Sequence, residues 1–205
     1  VVFCFQEMLE LTPANVVMLG SGDSEVEALF EQRARRALPE ALGEGFVKIQ
    51  SSSMVGLHIA AFVTERLSSS VSGVATCRQA TGFKGVAGNK GAVGLRFEVA
   101  KTAVCAMSVH LDSGKGKAAE RAAQLRDIIN GTNFTFTGGS SHATMSVPKH
   151  DFVVLAGDFN LRLSLPPGAD AGSLGTVLAR SWVEPSVDGG SGCVGEGVVG
   201  AGACT

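Results

Sequence analysis

Residues Asp151 to Leu163 read DFVVLAGDFNLRL, and the fold turns on how this stretch is understood. Phe152 to Ala156 is a short, almost continuous apolar run, the pattern of a strand buried on both faces. Gly157 then permits close backbone approach or an unusual dihedral where the strand ends. Asp158 and Asn160 share side-chain parity, so an extended chain presents both on one side. Polar chemistry at the mouth of an apolar sheet is the expectation.

Working outward, similar strands recur. VVFCFQ opens the chain and runs to Glu7. Val55 to Val63 (VGLHIAAFV) is a second strand, followed by the polar turn TERLSSS. Thr102 to Leu111 (TAVCAMSVHL) is a third, carrying His110 at its end. Between strands, Val26 to Leu38 has Val26, Leu29, Phe30, Ala34 and Ala37 near helical spacing, with Pro39 expected to stop the helix. Lys117 to Asn130 predicts a second helix that buries Leu125, Ile128 and Ile129. SGVATCRQATG leads into a Gly-rich loop, GFKGVAGNKGAVGLRFEV, and a polar loop fills GTNFTFTGGSSHATMSVPKH. Strands alternating with helices indicate an α/β or α+β layered domain.

Composition narrows the function classes. A length of 205 residues suits one ordinary domain, and 45% hydrophobic with 18% charged residues suits a globular chain. A net charge of −2 gives no support to a nucleic-acid binder relying on bulk positive charge. Five Cys without a Cys-x-x-Cys pair point to reduced thiols, hence a cytoplasmic setting. The opening shows no charged-then-apolar leader, and no apolar run reaches membrane-spanning length. From Pro166 onward the text turns Gly-rich, so residues 167–205 are expected to be poorly ordered.

The strand ends carry the chemistry. Glu7, His110 and the Asp158/Asn160 pair each close an otherwise apolar strand, where an unpartnered polar group is costly. A carboxylate such as Glu7 suits Mg²⁺. A second carboxylate can orient or deprotonate a water, Asn160 can hold a phosphoryl oxygen, and His110 can donate to developing charge. These are the parts for metal-assisted water attack on a phosphate ester. Taken singly, each has an ordinary explanation. A strand-end Glu is usually solvated, and Gly-Asp-x-Asn fits an Asx turn. GNKG fits a hairpin turn. His58, His142, His150, Met54 and Met107 are read as structural. The conjunction and its order carry the functional reading.

In order, FQEMLELTPANV, MVGLHIAAFV, GFKGVAGNKGAVGLRF, SVHLDSGKGKAAERAAQLRDI and VVLAGDFNLRL resemble the inositol polyphosphate 5-phosphatase catalytic domain, plant-type members most of all. GDFN is shared with the wider endonuclease/exonuclease/phosphatase superfamily, whereas GNKG with SVHL is more specific to the 5-phosphatases. The likeness covers roughly Val2 to Pro166, so residues 1–166 are expected to form a partial catalytic domain. It implies a four-layered α/β sandwich of the deoxyribonuclease-like type, incomplete here, with two mixed sheets face to face.

The resemblance also implies roles. Glu7 matches the Mg²⁺-binding Glu, His110 the His that contacts the scissile phosphate, Asp158 the residue that activates water, and Asn160 the Asn that helps hold the phosphate. Asn89 and Lys90 match a substrate-phosphate pair, and Arg162 the Arg after the GD-x-N motif, whose usual Tyr is Leu161. Motifs resembling WN before Val1, and P-x-W-C-D-R and S-D-H after Pro166, have no counterpart, and Ser108 replaces a common Asn. Weak or no turnover is therefore expected of this chain by itself. The implied substrate is an inositol phosphate or a phosphoinositide, with peripheral membrane contact in the lipid case, and no nucleic acid. Two alternatives stay open: a Mg²⁺-dependent endonuclease, and a non-catalytic relative that binds anionic head groups through Lys84, Lys90 and Lys115.

Overall fold

The structure, a computed structural model, describes residues 1–8, 24–82, 87–138 and 141–162, together with Gly172. Residues Val1–Arg162 form one compact unit. Its elements run β1 (Val2–Phe5), α1 (Ser24–Leu42), β2 (Phe46–Met54), β3 (Leu57–Thr64), α2 (Glu65–Ser68), β4 (Val71–Gly82), β5 (Ala87–Val99), β6 (Thr102–His110), α3 (Ala118–Gly131), β7 (Asn133–Gly138), β8 (Ser141–Ser146), a 3₁₀ turn (Val147–Lys149) and β9 (Phe152–Asp158). The Gly-rich segment 167–205, Gly172 aside, lies outside the described residues, as does Lys84.

The described strands build a three-stranded sheet in the order β1-β3-β2, a four-stranded sheet in the order β4-β5-β6-β9, and the β7-β8 hairpin. The first sheet is antiparallel throughout, and the second is mixed because β6 and β9 run parallel. Period-two alternation sorts the side chains into layers. Leu57, Ile59 and Ala61 of β3 meet Val93, Leu95, Phe97 and Ala106 between the sheets. The opposite parity of β3, Ala60 and Phe62, packs with Phe46, Ala34 and Leu38 beneath α1. On the far side, Cys105, Met107 and Val109 of β6 pack with Ile128 of α3 and Phe134 of β7. Helix, sheet, sheet and helix-plus-hairpin make four layers, the α/β sandwich implied by the motifs. Each buried Leu, Ile or Phe in these interfaces contributes roughly 1.5–3 kcal/mol.

Several local expectations need correction. Helix α1 runs through Pro39 to Leu42. The Pro lies near its C-terminus, and the stop comes from Gly43, which has φ +75° and donates its N–H to the Pro39 carbonyl at 3.0 Å. The helix buries Ala34 and Leu38, with Phe30 packed beside them, and leaves Val26 and Leu29 exposed. GNKG is not a turn: residues 88–91 lie within β5. The supposed polar loop folds as the β7-β8 hairpin. Under it lies Arg96 of β5, fully buried, donating to the Gly73 carbonyl at 2.6 Å, paired with Glu98 and stacked 3.6 Å from the Phe136 ring centre.

The deciding strand differs most. β9 is the outer member of its sheet among the described strands, pairing only with β6. Phe152, Val153 and Val154 are 60%, 39% and 41% exposed, so the run is not buried on both faces.

Candidate active site

Strand parity explains why the site forms between the two sheets. Ser108 and His110 share the parity of Ala106, which faces the inter-sheet core. On β9, Asp158 pairs with His110 in parallel register and follows it to the same rim. From the opposing sheet, Gln6 reaches across, its Nε2 donating to Ser108 Oγ at 2.8 Å while that hydroxyl donates to the Phe5 carbonyl at 3.2 Å. The next residue, Glu7, turns with φ +57°, and the Met8 N–H donates to the Gly56 carbonyl at 3.0 Å. A left-handed non-Gly residue costs about 1–2 kcal/mol, and such strain gathers at functional sites.

These turns converge on one imidazole. His110 Nε2 lies 3.8 Å from a Glu7 carboxylate oxygen and 3.6 Å from one of Asp158. Lys90, from the start of β5, places its Nζ 2.5 Å from the same nitrogen. With the ammonium donating, Nε2 accepts and the ring proton belongs on Nδ1. Burial holds His110 below the usual imidazole range, the Lys90 charge adds to this, and Asp158 and Glu7 oppose it. Burial likewise lowers Lys90, against the pull of Glu7, Asp158 and Asp112.

Asp158 and Asn160 come together differently from the extended-chain expectation. The strand ends at Asp158, and Asn160 takes φ +50°. Its N–H donates to Asp158 Oδ1 at 2.8 Å, closing an Asx turn. The same residue's Nδ2 donates to the Leu111 carbonyl at 2.9 Å, while the Leu111 N–H donates to the Asp158 carbonyl at 3.0 Å. Thus the ordinary turn and the chemical pairing are one structure. Arg162 Nη2 donates to Asn160 Oδ1 at 3.3 Å. Asn89 precedes Lys90 on β5 and is half-buried. Leu161, at the family's Tyr position, is exposed.

Two contributors escaped the sequence reading. Gln6 was visible only as the neighbour of Glu7, although a polar residue facing an inter-sheet core needs a partner, here Ser108. Asp112, two residues past His110, influences Lys90 and pairs with Lys117 at 3.6 Å. Among the described cysteines, burial pushes Cys4 up to about 11 and Cys77 and Cys105 up to about 12, away from the reactive thiolate.

The donor set can be tested against a divalent cation. Glu7 and Asp158 are hard oxygen donors with side chains 69% and 50% exposed, which leaves room for water. Among the described residues, no group of His, Cys, Asp or Glu forms a closed metal cage. Two exposed carboxylates suit a hydrated divalent cation whose remaining positions are filled by waters and substrate phosphate oxygens.

Residues 1–180 match the family described as endonuclease/exonuclease/phosphatase family 2, and the chain belongs to that family. Within it, the similarity points to inositol phosphatases. The chain is 35% identical to inositol-1,4,5-trisphosphate 5-phosphatase 1 of Schizosaccharomyces pombe, across 78% of this chain and 14% of that protein. It is 30% identical to human synaptojanin-2 across 78% of this chain and 10% of that protein. It is 31% identical to type I inositol polyphosphate 5-phosphatase 2 of Arabidopsis thaliana across 60% of this chain and 19% of that protein. The crystal structure of the inositol polyphosphate 5-phosphatase domain of SPsynaptojanin, in complex with inositol (1,4)-bisphosphate and calcium ion, superposes with TM-score 0.68 and 31% identity, across 87% of this chain and 48% of that one. The chain therefore spans under a fifth of these curated relatives and about half of that solved domain.

Proposed function

We propose that this chain carries machinery for Mg²⁺-dependent hydrolysis of the 5-phosphate of inositol polyphosphates or phosphoinositides. The supporting observation is the convergence of Glu7, Lys90 and Asp158 within 3.8 Å of one buried imidazole nitrogen of His110. Glu7 would hold the metal, with Asp158 across the same opening. A bound Mg²⁺ supplies Lewis-acid polarisation of a phosphoryl oxygen. Asp158 orients and deprotonates the attacking water, its geometry held by the Asn160 turn. Asn160 contacts a phosphoryl oxygen through atoms of its amide, and Arg162 fixes that amide. Lys90 and Asn89 meet substrate phosphate, and phosphate binding draws the Lys90 ammonium off His110. The freed Nε2 can then take a proton from solvent, and the resulting imidazolium donates to the charge that develops on the phosphoryl group. With the scissile phosphate attacked directly by water, no phospho-enzyme is formed.

Supporting the substrate class is GNKG, whose Lys90 lies against His110, together with the activities for which the relatives are named. The net charge of −2 disfavours the endonuclease reading. Activity is assigned to the cytoplasm, with peripheral membrane contact when the substrate is a lipid; no helix among the described residues is long and apolar enough to cross a membrane. The test compares orthophosphate release from inositol 1,4,5-trisphosphate with nicking of plasmid DNA by the same preparation. Slow, chelator-sensitive phosphate release is expected. Nicking alone would establish the endonuclease, and head-group binding without turnover would establish the non-catalytic relative.

A further inference from the structure

Arg121 of α3 is only 4% exposed and is a charged residue buried by its packing. No carboxylate neutralises it in the described structure: its Nη1 donates to the Asp112 carbonyl at 3.4 Å and the Gly114 carbonyl at 3.0 Å, while its Nε has no partner. Taking a guanidinium out of water without a carboxylate partner is costly, and hydrogen bonds to backbone carbonyls offset only part of that cost. One turn further along, Gln124 Oε1 accepts the Asp112 N–H at 3.0 Å. Asp112 is thus gripped at both its backbone groups by one face of α3. Its neighbour Leu111 is in turn gripped at both backbone groups by Asp158 and Asn160. Two sets of hydrogen bonds, joined by the Leu111–Asp112 peptide unit, connect the buried helix face to the end of β9.

We infer that Arg121 is a positioning residue for the catalytic rim: through Asp112 and Leu111 it fixes the place of the Asp158–Asn160 turn relative to His110. Ile128 and Leu125 supply the apolar packing of the helix, with Val147 in the same cluster, and the head of Arg121 is given to the Asp112 and Gly114 carbonyls. The inference rests on the proposed phosphatase reading for its kinetic effect, but not for its structural effect, and the test separates the two.

The full chain is prepared as Arg121→Met, Arg121→Lys and Gln124→Leu, the last keeping the buried cation while cutting the second tie. Amide hydrogen exchange is followed at residues 111–114 and 158–160, alongside the unfolding midpoint. Faster exchange in both segments of Arg121→Met, restored in Arg121→Lys and reproduced in Gln124→Leu, is the expected result. Unchanged exchange at 158–160 in Gln124→Leu and in any folded Arg121→Met overturns the inference, whatever the activity. On inositol 1,4,5-trisphosphate, Arg121→Met should lose roughly 10- to 100-fold in kcat with KM little altered, as expected for misplaced catalytic groups, and Arg121→Lys should recover most of it. A rise in KM alone, or no recovery with Lys, also overturns it. A wild-type chain that nicks plasmid DNA and leaves inositol 1,4,5-trisphosphate untouched defeats the phosphatase reading while the exchange data still decide this one.

Discussion

At the tip of β6, His110 is 3% exposed yet has a cation and two carboxylates within 3.8 Å of a single ring nitrogen. One ammonium against two carboxylates leaves an excess of negative charge around a neutral ring, which a bound divalent cation would offset before a phosphate could approach. Removing Asp158 should therefore cost turnover and not stability. We expect Asp158→Asn to lower phosphate release by roughly 100-fold or more, the range of general-base catalysis, with an unchanged urea midpoint. Gly157 is the opposite case. Its φ is +136°, and an added Cβ would lie 2.2 Å from the Val109 carbonyl oxygen and 2.8 Å from Gln6 Nε2. Gly157→Ala should lose at least about 2 kcal/mol by denaturation, in the range for enforced backbone strain, and should also displace the Asp beside it. The sequence showed that a Gly was needed before Asp158. It could not show that the nearest crowding atom is the Val109 carbonyl oxygen of the paired strand β6, with Gln6 from the other sheet next.

Among the elements, α1 and β3 meet around a second histidine. His58 is buried, its Nδ1 bonded to Ser53 Oγ at 2.8 Å and lying 3.8 Å from Glu27. Glu31 and Lys48, paired at 2.6 Å, also face it, and Phe30 packs edge-on against its ring. Burial lowers its proton affinity more than Glu27 and Glu31 restore it. The folded value is thus below the unfolded value of 6.5. Stability from this group is complete above that ordinary value and is lost as pH falls through the lower folded value. Denaturant midpoints measured between neutral and mildly acidic pH should fall with pH, and His58→Gln should flatten the slope. An identical slope in the variant would remove His58 as the cause. This pair of elements also shows what periodicity reveals and conceals. Phe30 and Ala34 were legible as core, but Val26 and Leu29 fit the same spacing and remain exposed. The β2 strand FVKIQSSSM was missed because its polar Ser51, Ser52 and Ser53 hide a strand whose partners are Glu31, Arg78 and His58. Polar residues satisfied by side chains from distant elements leave no local signal.

For the whole unit Val1–Arg162, the four-layer order was legible through the family motifs, whereas β9 was misjudged from composition alone. An apolar run says that a strand can be buried, not that a neighbour covers it. Here Phe152, Val153 and Val154 stand exposed on a strand paired only with β6 among the described strands. Unpaired backbone groups beside exposed apolar side chains are a template for association. Light scattering across a concentration series should show self-association of this chain, and Val154→Lys should shift it toward monomer. Association unaffected by that change would place the contact elsewhere.

The site's central claim concerns Glu7, which the fold turns toward His110 at the exposed mouth of the sandwich. Orthophosphate release from inositol 1,4,5-trisphosphate, followed across a magnesium titration for the wild-type chain and Glu7→Gln, tests it most directly. Release should vanish with chelator, and the half-saturating magnesium concentration should rise roughly tenfold or more in Glu7→Gln, the scale of a lost interaction of about 1.4 kcal/mol. Release that persists without metal, or a magnesium dependence identical in the two proteins, contradicts it.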